Sequence, residues 1–433
     1  MKNKKLVYLS SAITLIIFTL IGFYKCCFYD EGLRYDTIEY LSKSSKGVTL
    51  SYKNGTYLEA NAENQTSFKL TYSSKIKKNT FYVIKCLINM EESCFENTSE
   101  NAVTVLVDPT IDYNGDEVIK GISYDEYITN NSKRVELNRV IKTDKHGNLN
   151  FGVRIGSEKN LFSGSIDIIS VEVIPIDNLS NYTLLCSDDN TIRMVFLTDD
   201  LNKTTTDRKT LLRWLNTYAL FRKDIKWLIG DLEPYNGASD FILTEQFDFF
   251  GLAGNPIYIN SSFVVEKLNA ISLSNEKENA NLIWEYIHEL SHTFDGISDS
   301  NIEGIWNFDP EFFATLKTAF ALGNNGFGMI NDGNTGTKIV NYFSRDNTLK
   351  NGVYSSDGFV YTLLCSLGEY DNRVWLHLNN VFKNLNQEHI TPSSSYEKFA
   401  LFWNALNQEY GFKVESLLSE KEWNAIKNKY NFK

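Results

Sequence analysis

From about Tyr35 to Ile176 the chain alternates short apolar and polar runs. TFYVIKCLINM, AVTVLVD and SIDIISVEVIPI are rich in β-branched and aromatic residues, and turn sequences such as YKNGTY and DYNGDE separate them. Strands recurring this often without helical periodicity predict a β-sandwich over residues 30–180. NLSNYTLLCSDDN, around 178–190, is polar and reads as a linker. The texture then changes. TIRMVFLTDD opens a new strand, and Leu211, Leu212, Leu215, Tyr218 and Ala219 fall at helical spacing, with a second helical or extended piece after them. FDFFGLAGNPIYIN reads as a short strand whose glycines and Pro256 place it at a sheet edge. Beyond it the pattern is mostly helical to Lys433, with Gly/Asn loops at 323–336 and 350–358 and no internal repeat. The expected class is therefore α+β in more than one domain. A jelly-roll-like β-sandwich precedes a mainly helical domain with a small sheet over 190–433.

The N-terminus departs from this pattern. Lys2, Lys4 and Lys5 precede an apolar run from Leu6 to about Tyr24. A basic start before such a run is an export signal, and this run approaches the length that spans a bilayer. No small-residue cleavage pattern follows it. Residues 1–29 are expected to be an uncleaved membrane anchor with the rest of the chain outside the cell, or a signal whose removal secretes it.

Composition narrows the partners. With 42% apolar and 14% aromatic residues the chain can bury large cores. A net charge of -11 without a dense Lys/Arg stripe argues against nucleic acid. Six cysteines are too few for a disulfide scaffold at 433 residues, and there is no CxxC. Cys86 and Cys94 are spaced to close a hairpin-sized loop, a pairing the sequence leaves open; Cys186 and Cys365 read as core thiols.

The chemistry concentrates in NLIWEYIHELSHTFDG, Asn281 to Gly296. Only five histidines occur in the chain, and His288 and His292 sit here four residues apart. Ile283, Ile287, Leu290 and Phe294 form one apolar stripe of a helix. The two histidines share another face, with Trp284 one turn before them. Two imidazoles so placed reach one Zn²⁺, and Glu289 projects beside them as a general base. A catalytic zinc needs a third protein ligand. Glu303 and Glu311 both qualify by type. Glu311 is preferred, because PEFFATLKTAF reads as a helix with Pro310 in its first turn, whereas Glu303 lies in the loop-like SDSNIEG. For a donor to a developing oxyanion, Tyr354 and Tyr361 are the candidates, with Asp357 as helper or helix cap. His377 and His389 are alternatives, although His377 reads more simply as a satisfied histidine in a helix.

HELSH with a downstream Glu resembles the gluzincin metallopeptidases, and LAGNPIYIN resembles a segment of the M60-like, enhancin-type peptidases. In that group Asn255 usually has a Tyr as its counterpart, and the paired asparagines that often follow the ligand Glu are missing here. The resemblance covers about residues 190–433. It implies a zincin-type extracellular endopeptidase acting on mucin-like glycoproteins through Glu-assisted attack of zinc-bound water. Its one Zn²⁺ would be held by His288, His292 and Glu311, with Glu289 as base and AGNPIYIN as the edge strand that receives a peptide. GNLNFGVRIGSEKNLFSGSIDIISVEVIP likewise resembles galactose-binding-like jelly rolls found as carbohydrate-binding modules, implying a glycan ligand for the first domain. Two alternatives use the same features: a surface glycan-binding adhesin with a residual metal site, and a zinc hydrolase of a non-peptide amide.

Overall fold

A computed structural model describes residues 31–40, 48–53, 57–95, 103–106, 134–157, 160–234, 237–245, 250–254, 256–272, 280–297, 302–325, 327, 356–388 and 392–432. The expected N-terminal anchor, Tyr354 and His389 lie outside them. No helix among the described residues is long and apolar enough to cross a membrane. The chain divides into two compact units, Met1–Leu179 and Ser180–Lys433.

The first unit contains β1 (Glu31–Tyr40), β2 (Val48–Lys53), β3 (Tyr57–Thr66), β4 (Phe68–Lys75), β5 (Phe81–Phe95), β6 (Val103–Leu106), β7 (Arg134–Lys142), β8 (Asn148–Ile155) and β9 (Phe162–Pro175). They form two antiparallel sheets, ordered β1-β4-β8-β6 and β2-β3-β9-β5-β7. Alternate residues of both sheets share one core: Phe68, Leu70, Phe151 and Val153 from the first, Ile84, Cys86, Ile88 and Ile166 from the second. Period-two burial from two sheets into one cluster is a β-sandwich. The Cys86–Cys94 pairing fails on geometry. Both residues lie on β5, and eight residues of strand separate their Cα atoms by about 26 Å, far beyond disulfide reach.

The second unit opens with β10 (Tyr182–Cys186) and β11 (Ile192–Leu197), so the polar stretch expected to be a linker supplies a strand. α1 (Thr198–Lys203) and α2 (Arg208–Leu228) follow. α2 is one continuous helix of 21 residues where two pieces were expected; Asp207 caps it and Leu215, Phe221 and Ile225 are among the side chains it buries. β12 (Ser239–Glu245), β13 (Gly251–Leu252) and β14 (Ile257–Asn260) complete a sheet ordered β10-β11-β12-β14-β13. β11, β12 and β14 are parallel, and β12 and β14 are buried along nearly their whole length, as interior parallel strands are. β13 is antiparallel to β14 and forms the edge. The edge is therefore Gly251–Leu252, while IYIN lies inside the sheet.

Then come α3 (Val264–Ser272), α4 (Ala280–His292), the small hairpin β15 (Gly296–Ile297) and β16 (Ile302–Glu303), and α5 (Pro310–Asn324). α6 (Ser356–Tyr370), α7 (Val374–Leu385), α8 (Ser395–Tyr410) and α9 (Glu420–Lys429) finish the unit. The expected loop at 350–358 thus ends where α6 begins at Ser356. Phe312 to Leu322 of α5 are all buried, which makes α5 the central helix of an aromatic core that includes Phe359, Phe382, Phe399 and Phe402.

Candidate metal centre

α4 forms because its apolar stripe has somewhere to go. Ile287, Leu290 and Phe294 are fully buried in the core of the second unit, and α4 packs on α5 and against β13 and β14. Burying about three such side chains stabilises the docking by several kcal/mol, on the order of 1.5–3 each. A hydroxyl ladder fixes the register of the two helices: Ser291 Oγ donates to Ile287 O at 2.8 Å and lies 3.0 Å from Thr318 Oγ1 on α5. The opposite face of α4 then presents His288, Glu289 and His292. Trp284 flanks them, its ring 6.3 Å from that of His288.

Glu311 reaches the same point from α5. Asp309 caps that helix, accepting from Phe312 N at 3.1 Å, and Pro310 fills its first position. Asp309 is itself held by Tyr430 Oη at 2.6 Å and Lys429 Nζ at 3.1 Å. The helix start is therefore fixed, and Glu311 projects from its first turn, where the helix dipole favours a carboxylate.

The three side chains converge. His288 Nε2 lies 3.0 Å from Glu311 Oε2 and 3.2 Å from His292 Nε2. His292 Nε2 lies 3.4 Å from Glu311 Oε1. Ligand atoms bonded tetrahedrally to one zinc at about 2.0–2.1 Å stand about 3.3 Å apart. The observed spacings are close to that figure, with the two histidines meeting different oxygens of the one carboxylate, so the donor set fits a metal ion. Among the described residues this is the one group of three or more His, Cys, Asp or Glu side chains so arranged.

Electrostatics sharpen the picture. His288 and His292 hold the Glu311 carboxyl well below the usual carboxylate range, against the effect of burial. Burial pulls the His292 imidazole down, yet hydrogen bonds to Asp295 and Glu311 raise it to about 9. Burial pushes the Glu289 carboxyl up, with the two histidines opposing and Glu311 adding to the rise. A carboxyl so raised holds a proton more firmly than an exposed one, which suits a base that must keep a proton it has taken.

Around this set lie residues that the sequence did not single out. Asp295 accepts from His292 Nδ1 at 2.8 Å, which orients the ring so that Nε2 is the nitrogen facing the triad. Lys317 of α5, wholly buried, pairs with the other oxygen of Asp295. Gly251 of the edge strand runs against the Glu289 side chain. One signal was available: Lys317 is a charged residue inside an otherwise apolar helical run. His288 Nδ1 is buried and has no acceptor among the described residues.

The structure also locates the remaining candidates. Glu303 pairs through its backbone with Gly296 in the β15–β16 hairpin, and Glu311 joins the two histidines. Tyr361 lies in the hydrophobic core at 5% exposure, a poor position for a group that must meet a substrate. Asp357 is the second residue of α6. His377 bridges Glu409 at 2.8 Å and Asp371 at 3.2 Å, the satisfied histidine that the sequence suggested.

No protein-family model and no curated protein matches the sequence. Among solved structures, the M60 catalytic domain of Clostridium perfringens ZmpC, in complex with the sialyl T antigen, aligns at 11% identity over 83% of this chain and 74% of its own, with a TM-score of 0.29. TmCBM61 in complex with β-1,4-galactotriose aligns at 14% identity over 35% of this chain and 93% of its own, TM-score 0.18. A family 29 carbohydrate-binding module from Piromyces equi aligns at 10% identity over 33% of this chain and 87% of its own, TM-score 0.13. All three TM-scores are below 0.5, a degree of likeness that carries no argument about function.

Proposed function

We propose that this chain is a zinc-dependent endopeptidase, its metal held by His288, His292 and Glu311, that hydrolyses peptide bonds in extracellular, mucin-like glycoproteins. The observation that carries the metal reading is the 3.0–3.4 Å triangle of two imidazole nitrogens and a carboxylate. The extracellular setting rests on the lysine-flanked apolar N-terminus, and the glycoprotein substrate on the HELSH and LAGNPIYIN resemblance. The β-sandwich supplies a candidate glycan-binding module on the same footing.

When bound, zinc supplies Lewis acidity to water and to a carbonyl oxygen. The protein does the rest. Glu289, next to His288 on α4 and largely shielded from solvent, takes a proton from the attacking water and returns it to the leaving amine. Gly251–Leu252 offers an edge along which an extended substrate pairs through its backbone. Of the two tyrosines expected to donate to an oxyanion, Tyr361 is held in the core, which leaves Tyr354 as the candidate.

The test is elemental analysis of the purified ectodomain, residues 30–433, beside His288→Ala/His292→Ala, with mucin-type glycoprotein cleavage followed beside Glu289→Ala. About one zinc per chain, lost in the double variant, with cleavage lost in Glu289→Ala at full zinc content, is expected. A folded protein that takes up no zinc refutes the metal reading, and a glycan-binding role then takes first place.

A further inference from the structure

Behind the metal centre a charged chain runs into the core. Asp295 divides its two oxygens. Oδ2 faces His292 Nδ1 at 2.8 Å, and Oδ1 takes the ammonium of Lys317. Lys317 is 0% exposed, and the face of the equally buried Trp306 lies 5.6 Å from its nitrogen. Trp306 is fixed in turn by Nε1 donating to Asn386 Oδ1 at 3.0 Å and by close packing over Gly304. A buried ammonium is costly without a counter-charge, and burial pulls Lys317 below the ordinary lysine value while Asp295 works against that. A methionine of similar shape would fill the same space without that cost. The filling of space therefore does not account for a lysine here.

We infer that Lys317 is a positioning residue of the metal centre: it clamps Oδ1 of Asp295 so that Oδ2 holds the His292 ring in the orientation that presents Nε2 to the metal. The inference rests on the proposed zinc site. It assigns Lys317 to the ligand geometry and not to the chemistry, since it touches neither ligand nor substrate. An Asn at 295 breaks the same chain, because one of the two acceptor oxygens becomes an NH₂ donor that faces either His292 Nδ1–H or the Lys317 ammonium.

The test uses the full chain, purified with zinc, as wild type, Lys317→Met, Lys317→Gln and Asp295→Asn. Zinc affinity is measured by competition with a chromophoric chelator, and ligand geometry by the visible absorption of the cobalt-substituted proteins. Outer-shell partners of metal-bound histidines are worth about 10–100-fold in affinity. Asp295→Asn is expected to lose an amount in that range and Lys317→Met about tenfold. Lys317→Gln, which keeps a donor to Asp295, should fall between Lys317→Met and wild type. The cobalt bands should move in all three. A folded Lys317→Met or Lys317→Gln with wild-type affinity and wild-type bands overturns the assignment, whatever its melting temperature; should the Met variant not fold, the Gln variant decides. A wild type that binds neither zinc nor cobalt overturns the metal reading itself, and so the two failures are distinct.

Discussion

Gly251→Ala adds one carbon where the edge strand passes Glu289, the base of the proposed reaction. That carbon would lie 3.0 Å from Glu289 Cγ, 3.0 Å from Ile259 Cδ1 and 3.2 Å from Glu289 Cδ. Contacts this close are tighter than side-chain carbons usually make, so the neighbours must give way by a few tenths of an ångström. Gly251 is not in the left-handed region, so alanine is conformationally permitted and only the added volume is tested. Ile259 is fully buried beneath it and has little room, which leaves the Glu289 side chain to move. Misplacing a catalytic group by about 1 Å costs up to about 100-fold in rate. In stability, overpacking costs about 1–3 kcal/mol, offset by about 0.4–1 kcal/mol from the stiffer unfolded chain. The expected variant is folded, destabilised by about 0–2.6 kcal/mol, full in zinc and slower by about 3–10-fold in kcat/KM, the share of that loss a shift of a few tenths of an ångström carries. The assays are thermal melting, elemental analysis and cleavage of the glycoprotein substrate. Activity within twofold of wild type would show that the strand and the base are not mechanically coupled.

The same geometry sets two further outcomes. In the metal-free protein His292 is raised to about 9 from 6.5, so its contribution to stability is whole below pH 6.5 and is lost as pH rises through 9; the total is at most about 3 kcal/mol. Zinc must displace that proton, so chelator competition should show affinity rising about tenfold per pH unit above 6.5 and levelling off near pH 9, and a flat profile would contradict the His292–Asp295 bond. Asp309→Ala removes the cap of α5 and the acceptor of Tyr430. Melting should show a loss of about 1–2 kcal/mol, and zinc should bind more weakly because Glu311 is two residues along; unchanged zinc affinity would mean that the cap does not position the ligand.

What the sequence made legible was local. His288, Glu289 and His292 fall within five residues, and helical spacing alone puts two imidazoles on one face. Glu311 was readable because Asp-Pro-Glu before an apolar run is a helix start, so its carboxylate had to project from a rigid turn. The sandwich was readable from period-two runs between turn residues. The misreadings all turn on which partner a segment meets. Tyr182–Cys186 looked like a linker because polar NLSN and SDDN flank a strand of only five residues. In 251–260 the strand texture was visible, but which half forms the edge depends on the antiparallel pairing of Gly251–Leu252 with Tyr258 and Ile259. Cys86 and Cys94 looked like a loop closure only while the long strand carrying both was unrecognised. The supporting residues of the metal centre are the extreme case. Gly251 matters because a helix residue thirty-eight positions on lies against it, and Lys317 matters because Asp295, on another element, shares its oxygens between that lysine and a ligand. A lysine among Leu316, Thr318 and Ala319 sits in a stretch, Phe312 to Leu322, that is buried on every face, so its charge is buried with it. What the sequence withholds is the counter-charge, Asp295, which joins this core lysine to His292 of the proposed metal site.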